Sequence, residues 1–365
     1  MKNANAIATP CSEHENRATG CLMGQIVGDS LGSLVEFQSP GEIRRHYPDG
    51  PRKLITGGVW NTLAGQPTDD SEMALLLARL LADAEEYDAD AARERYVYWL
   101  DSGPFDCGNT IRSALRGHAN QDSQANGALM RVSPLGIFMA GKDWERAASQ
   151  AMQDAAITHP NPVCMQANAL YVCLIAHAVA YGGSGPELYR LLPDWLDRIQ
   201  AHPALRAAVE QAEHQVPPDF MSKQGWVLVA LQNALWQLVH AAYFEDGVVD
   251  TVRRGGDTDT NAAICGALLG AVYGWNAIPE QWRECALNCR PEAGKRGVTH
   301  PRPRCFWPVD VHELALRLLD SRIRRRDRFI CDTESSQGLS LTKEDGSGFV
   351  FQGESWRRLP EDAAD

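Results

Sequence analysis

Two stretches of the chain concentrate short oxygen-bearing side chains. Thr68, Asp69 and Asp70 stand together in "QPTDDSEMALLLARLL" (66–81), and Asp257, Asp259 and Thr260 in "GGDTDTNAAICGALLGAVYG" (255–274). A third stretch, "GQIVGDSLGSLVEF" (24–37), ends in Glu36. Helix capping explains part of this. Asp69 and Glu72 are spaced almost as a capping box, and "DTDTN" before an Ala-rich run is a good N-cap sequence. One cap, however, needs one side-chain oxygen, and each entrance offers three or four. Crowded carboxylates repel, and a helix N-terminus supplies only roughly half a positive charge. Hard divalent cations bind through carboxylate and hydroxyl oxygens, Mg²⁺ taking about six at ~2.1 Å. A metal site accounts for the oxygens that capping leaves over.

Two other uses of such a motif fail on the residues. A calcium-binding loop starting at Asp257 matches through Asp259 and Asn261. It then has Ala262 where the turn needs glycine and Leu268 where it needs a bidentate glutamate. An aspartyl-phosphate site needs a buried strand running directly into the motif, and here Gly255 and Gly256 follow two arginines.

The elements that must position these side chains are helices. Apolar residues recur at i, i+3, i+4 and i+7 over 72–87, 90–102, 164–183 and 224–241, and the linkers between are short and carry Gly, Pro, Asn and Asp. Gly24, Gly28 and Gly32 recur every four residues, as do Gly266, Gly270 and Gly274. On a helix each set is a stripe without side chains, which lets a neighbouring backbone approach closely. Glycine inside a helix costs about 1 kcal/mol relative to alanine, so six of them ask for a packing reason. The expectation is that these helices lie at the centre of an all-α bundle spanning 17–290. A tail (1–16) precedes it, and an extension (291–365) follows with a Pro/Arg-rich segment, a helix and a small hairpin around the DG turn in "LSLTKEDGSGFVFQ".

Bulk properties narrow the class. With 365 residues, 44% of them hydrophobic, the chain can fill a large core. A net charge of −12 argues against nucleic acid as a partner. The ten cysteines include no CxxC pair, although Cys285 and Cys289 are a helical turn apart, and this reads as a reduced, cytoplasmic protein. No apolar run is long enough to suggest a membrane span or a secretory signal.

The blocks "GQIVGDSLGSLVEF", "PTDDSEMAL", "GNTIRSAL", "NGALMRVSPLGIF", "THPNPVCMQAN" and "GGDTDTNAAICGALLGAVYG" resemble, in family order over residues 18–275, the ADP-ribosylglycohydrolases. The resemblance implies a compact orthogonal multi-helix bundle with two divalent cations, Mg²⁺ or Mn²⁺, and an activity that removes ADP-ribose from modified side chains, arginine-linked first, or from small molecules. Onto matching positions it carries Thr68, Asp69, Asp70, Asp257, Asp259 and Thr260 as metal ligands. Glu36, with Asp69 and Asp70, becomes a catalytic candidate, as base or gate. Asn126 and Gly127 fall in the loop that holds diphosphate and ribose, and His159 on the ADP-ribose side of the cleft. Ala125 departs from the glycine often found there, which matters if that position needs a positive φ.

Plainer readings stand beside these. "ANG" is an ordinary turn, His159 a loop histidine, Asn109 and Thr110 a helix start, and the arginines at 322–328 a solvated helix face. A different class of function also fits. The bundle and its extension could dock an ADP-ribosyltransferase and neutralise it as an immunity-type partner, with hydrolysis secondary. Because every candidate ligand precedes the tail, a chain truncated after Arg328 is expected to fold and to hydrolyse a small ADP-ribosylated substrate at the parental rate. A folded truncation without that activity contradicts the expectation.

Overall fold

The computed structural model describes residues 12–319 and the backbone of four short strands beyond them, Ile330–Cys331, Ser340–Thr342, Gly348–Gln352 and Ser355–Arg358. The arginines at 322–328 and the DG turn of the expected hairpin lie outside the described residues, while the strands on either side of that turn pair antiparallel.

Between 12 and 319 every regular element is helical. The α-helices are α1 (Glu13–Gly32), α2 (Pro40–His46), α3 (Asp69–Asp83), α4 (Ala89–Asp101), α5 (Asn109–Leu115), α6 (Ser133–Phe138), α7 (Trp144–Ala156) and α8 (Pro162–Tyr181). They continue with α9 (Gly185–Tyr189), α10 (Leu192–Arg198), α11 (Pro203–Gln211), α12 (Val227–His240), α13 (Phe244–Arg253), α14 (Thr258–Tyr273), α15 (Glu280–Asn288) and α16 (Val311–Leu319). The four periodic segments of the sequence fall on α3, α4, α8 and α12, and Asn109 does open a helix. Residues 12–319 form an all-α orthogonal bundle.

Its centre is α1 against α14, and the glycines explain why. The two helices run antiparallel with Gly20 facing Gly270, Gly24 facing Gly266, Gly28 facing Ala262, and Gly32 facing Thr258 and Asp259. A Cβ on any of these α1 glycines would lie within 3.0 Å of the α14 backbone. Both helices are buried nearly all round, as befits core elements. Gly274 plays a different part from the one its spacing suggests. It is the C-cap of α14, with φ +77°, and packs on the Asn16 side chain. Gly20 instead extends the contact on the α1 side.

Helix α8 is long and apolar enough by composition to cross a membrane, but 78% of its most apolar window is buried inside the bundle. Cys285 and Cys289 are both free thiols. The segment after 290, set apart in the sequence reading, is tied into the core. Helix α16 packs on α1 and α3, and Arg79 of α3 grips Asp310 through Nη1 at 2.6 Å and Nη2 at 2.9 Å.

Gly24→Ala should force α1 and α14 apart and destabilise the fold by about 1–3 kcal/mol, outweighing alanine's ~1 kcal/mol helix advantage. Gly41→Ala in α2, whose nearest neighbouring atom would be 4.0 Å away, should show no such loss. Urea midpoints of the two variants decide this.

Candidate active site

The register of α1 on α14 sets the site. Because Gly32 ends α1 beside Thr258, the loop that follows α1 emerges next to the first turn of α14. Thr258 Oγ1 donates to the Gly32 carbonyl at 2.7 Å and locks that junction. The Phe37 amide donates to Gly256 O at 2.7 Å and the Gly256 amide to Gln38 O at 3.1 Å, a two-way clamp that holds Glu36 over the acidic turn. The turn needs both its glycines. Gly255 and Gly256 have φ of +74° and +76°, and a Cβ on either would run into the carbonyl oxygen of Gln38 or Phe220.

Neither acidic entrance caps itself. The N-cap positions of α3 and α14 are Thr68 and Asp257, and neither makes a side-chain capping bond. Glu72 does not close a capping box either. Its carboxylate takes Arg302 Nε and Nη2, each at 2.8 Å, and the Trp99 indole N–H at 2.9 Å. The cap of α3 comes from another helix: Asp29 of α1 accepts the Thr68 and Ser71 amides at 3.1 Å and the Thr68 hydroxyl at 2.9 Å. Asp69 and Asp70 are thereby left for other work.

Seven carboxylates then converge. Oxygens of Glu36, Asp106 and Asp259 lie within 4.8 Å of one another. Burial raises Asp259 well above the ordinary carboxylate range, with Glu36 and Asp70 adding to it. Asp70 is raised by burial and then by Asp29 and Asp257, and the Thr260 hydroxyl reaches it. Asp69 is raised by burial, Asp106 and Asp70. Burial lifts Asp29 to about 7, and burial with the Asp106 charge lifts Glu36 to about 8. Asp257 accepts the Asn126 amide N–H at 2.7 Å, yet burial still raises it.

Among the described residues no arginine or lysine pairs with any of these seven. The deeply buried guanidinium groups are committed elsewhere, Arg131 to Asp154 and Arg302 to Glu72. Asp70 Oδ1 is buried without a hydrogen-bond partner. The single Thr68 hydroxyl proton faces both Asp29 Oδ1 and Asp70 Oδ2, at 2.9 and 3.0 Å, and can serve only one at a time. An oxygen-only donor set, crowded, without a protein counter-charge and with an orphaned oxygen, fits hard divalent cations.

The loop at 124–127 forms one wall. Ala125 bridges Trp226, the Val227 amide donates to Gln124 O, and the Asn126 amide to Gly225 O. Ala125 does not adopt a positive φ, so its departure from glycine costs nothing. The Asn126 amide is engaged, and an anion at this loop must be met from Gly127 onward. Gly127 is confined by Ile111 and His159, which leave no room for a Cβ without displacement. His159 packs against Gly127 of the loop. It is fully buried, pairs through Nδ1 with Thr158 Oγ1 at 2.8 Å, and is pushed down to about 3 by burial and Arg131. Arg131 ties these parts together, donating to Gly127 O at 3.2 Å and to Thr158 Oγ1 at 2.8 Å.

The structure thus brings Glu36, Thr68, Asp69, Asp70, Asn126, Asp257, Asp259 and Thr260 to one place. Sequence reasoning missed Asp29, Asp106 and Trp60, whose indole N–H donates to Glu36 Oε2. Asp29 left a signal as the one acid inside a glycine-striped apolar helix. Asp106 left only its place in a Gly/Pro loop before "GNT".

The sequence profile described as ADP-ribosylglycohydrolase matches residues 10–327. The ADP-ribosyl-[dinitrogen reductase] glycohydrolase of Rhodospirillum rubrum is 31% identical over 277 residues, 73% of this chain and 89% of that protein. The ADP-ribosylarginine hydrolase Tri1 of Serratia proteamaculans is 28% identical over 291 residues, 75% of this chain and 76% of Tri1. Among solved structures, an ADP-ribosylglycohydrolase-related protein complex superposes with a TM-score of 0.68 at 28% identity, covering 84% of this chain and 98% of that one.

The raised carboxylates predict how the cation-free protein responds to pH. Asp29 and Glu36, at about 7 and about 8 when folded, keep protons that the unfolded chain releases near its ordinary values of ~4. The folded state then binds more protons, so stability falls as pH rises from roughly 4 towards 8. In EDTA the melting temperature should drop across that window, and Mg²⁺ or Mn²⁺ should restore it. Asp257→Asn should abolish the cation response and leave the cation-free protein at least as stable as the parent. A parent melting curve indifferent to both cations contradicts the metal centre.

Proposed function

The chain belongs to the ADP-ribosylglycohydrolase family, and from that premise we propose that this enzyme is a Mg²⁺- or Mn²⁺-dependent hydrolase that removes ADP-ribose from arginine side chains. The observation that carries the reading is the convergence of seven carboxylates with no protein cation among the described residues. Two divalent cations held there would supply fixed positive charge to the ribose hydroxyls and polarise water. Thr68, Asp69, Asp70, Asp257, Asp259 and Thr260 are the proposed ligands, with Asp106 beside them.

The remaining residues bind and move protons. Asn126 fixes Asp257, and the loop from Gly127 meets the diphosphate. His159, neutral and buried, supports that loop. Breaking the bond at the anomeric carbon develops oxocarbenium-like charge, which neighbouring carboxylates stabilise. Without cations, burial and the Asp106 charge raise Glu36 to about 8; bound cations would offset that charge and favour the carboxylate. Trp60 donates to its Oε2, which leaves Oε1 to take a proton.

The preference for an arginine linkage rests on charge. A guanidinium suits a cleft this acidic, and two of the similar proteins are named for dinitrogen reductase and ADP-ribosylarginine. The cytoplasm is the proposed compartment, from cysteines that show no CxxC spacing. Docking to an ADP-ribosyltransferase finds no support, and the arginine cluster that would serve it lies outside the described residues.

Incubation with arginine-, serine- and acetyl-linked ADP-ribose should release ADP-ribose from the arginine linkage, and EDTA should stop it. Glu36→Gln should lose turnover by about 10²-fold or more while ADP-ribose affinity changes little. Full activity in EDTA rejects the metal mechanism, and unchanged turnover removes Glu36 from it.

A further inference from the structure

The two loops that bring Glu36's partner and Asp106 to the cleft have no regular structure of their own. Residues 57–66 carry Trp60, and residues 102–108 carry Phe105 and Asp106. Both are held by one short segment far downstream in the chain, through Thr299, His300 and Arg302.

On the first loop, His300 Nε2 donates to the Trp60 carbonyl at 2.8 Å, Gln66 Nε2 donates to the His300 carbonyl at 2.7 Å, and Asn61 Nδ2 donates to Thr299 Oγ1 at 2.9 Å. On the second, the half-buried His300 ring stacks on Phe105 at 4.4 Å and 25°, immediately before Asp106. Arg302 then fixes the loop's beginning, donating from Nη1 to Ser102 O at 3.1 Å and from Nη2 to Ser102 Oγ at 2.8 Å. The same guanidinium pairs with Glu72 of α3, one turn beyond Asp69 and Asp70. Trp307 Nε1 donates to Arg302 O at 2.8 Å and steadies the segment from its far side. Trp60 and Phe105, 5.9 Å apart, close the circle.

We propose that residues 299–302 form a strap that sets the position of Asp106, and through Trp60 that of Glu36, relative to the acidic end of α3, with His300 and Arg302 as positioning residues. Neither touches the carboxylates of the cleft. Each acts through a loop that does: His300 through the Trp60 carbonyl and the Phe105 face, Arg302 through Ser102 and Glu72. The strap therefore joins three contributors to the cleft that sequence places at 36, 69–70 and 106.

His300 is the residue to vary, because removing Arg302 would strand the buried Glu72 charge and risk the fold. His300→Ala should lower kcat roughly tenfold or more, as outer-shell partners of such sites do, with KM changed less than about threefold and Tm unchanged. His300→Phe keeps the ring on Phe105 and loses only the Trp60 bond, so its kcat should fall between alanine and parent. Lys295→Ala, whose ammonium pairs with the neighbouring Glu292, should match the parent. Mn²⁺ affinity, read by electron paramagnetic resonance, should weaken in the same order. Parental kcat in His300→Ala overturns the strap. So does a kcat loss that merely follows a lowered Tm, or a phenylalanine variant no better than alanine. The turnover arm rests on the hydrolase reading. A parent inactive on every linkage rejects that reading, and the Mn²⁺ affinities then decide the strap.

Discussion

Everything in this molecule hangs on two helices touching backbone to backbone. Glycine opposite glycine along α1 and α14 leaves no side-chain layer between them, so their separation and register are set by main-chain contact. That contact could have been spread over larger residues at a looser spacing, as in most helix pairs. Here it is tight enough that sliding by one turn would set other residues against the Gly32–Thr258 contact. The junction loop of α1 would then miss the turn of α14. The acidic centre is the far end of this contact, and its geometry is inherited from it.

A second layer of constraint comes from what the carboxylates do not do. Local sequence offers Asp69, Glu72 and Asp257 as caps, and the fold declines all three. Asp29 caps α3 from a different helix, and Glu72 turns away to Arg302. These displacements free the oxygens of the acidic centre and leave them without a counter-charge among the described residues. Electrostatic strain of this kind is tolerated because the surrounding helices are packed rigidly enough to hold it.

The legible part of the sequence was the part encoded locally. Periodicity found α3, α4, α8 and α12, the four-residue glycine spacing found the central pair, and the excess of oxygens at 68–70 and 257–260 pointed to side chains that the fold brings together. What escaped reading depends on contacts between residues distant in the chain. Asp106 sits in a loop whose position follows from His300 and Ser102, and Trp60 gains its meaning only beside Glu36. Residues 299–302 read as part of an irregular Pro/Arg-rich segment because their side-chain hydrogen bonds all go to partners more than a hundred positions away. His159 and Gly274 show the converse. Each was found by its pattern, but the pattern could not tell a supporting imidazole from a ligand-facing one, nor a packing glycine from a cap.

The cap that α1 lends to α3 also bears on how the chain comes together. The first turn of α3 has no side-chain cap of its own, and the group that satisfies its amides lies 39 residues earlier in sequence. Closing that loop has an entropic cost that a local cap would avoid, so the start of α3 is secured only once α1 is in place. Since α1 is itself fixed by α14, the acids at 69–70 should reach their final positions in the same event that delivers those at 257–259. A nascent chain that has emerged only as far as α13 would then hold five of the seven carboxylates and no frame to order them.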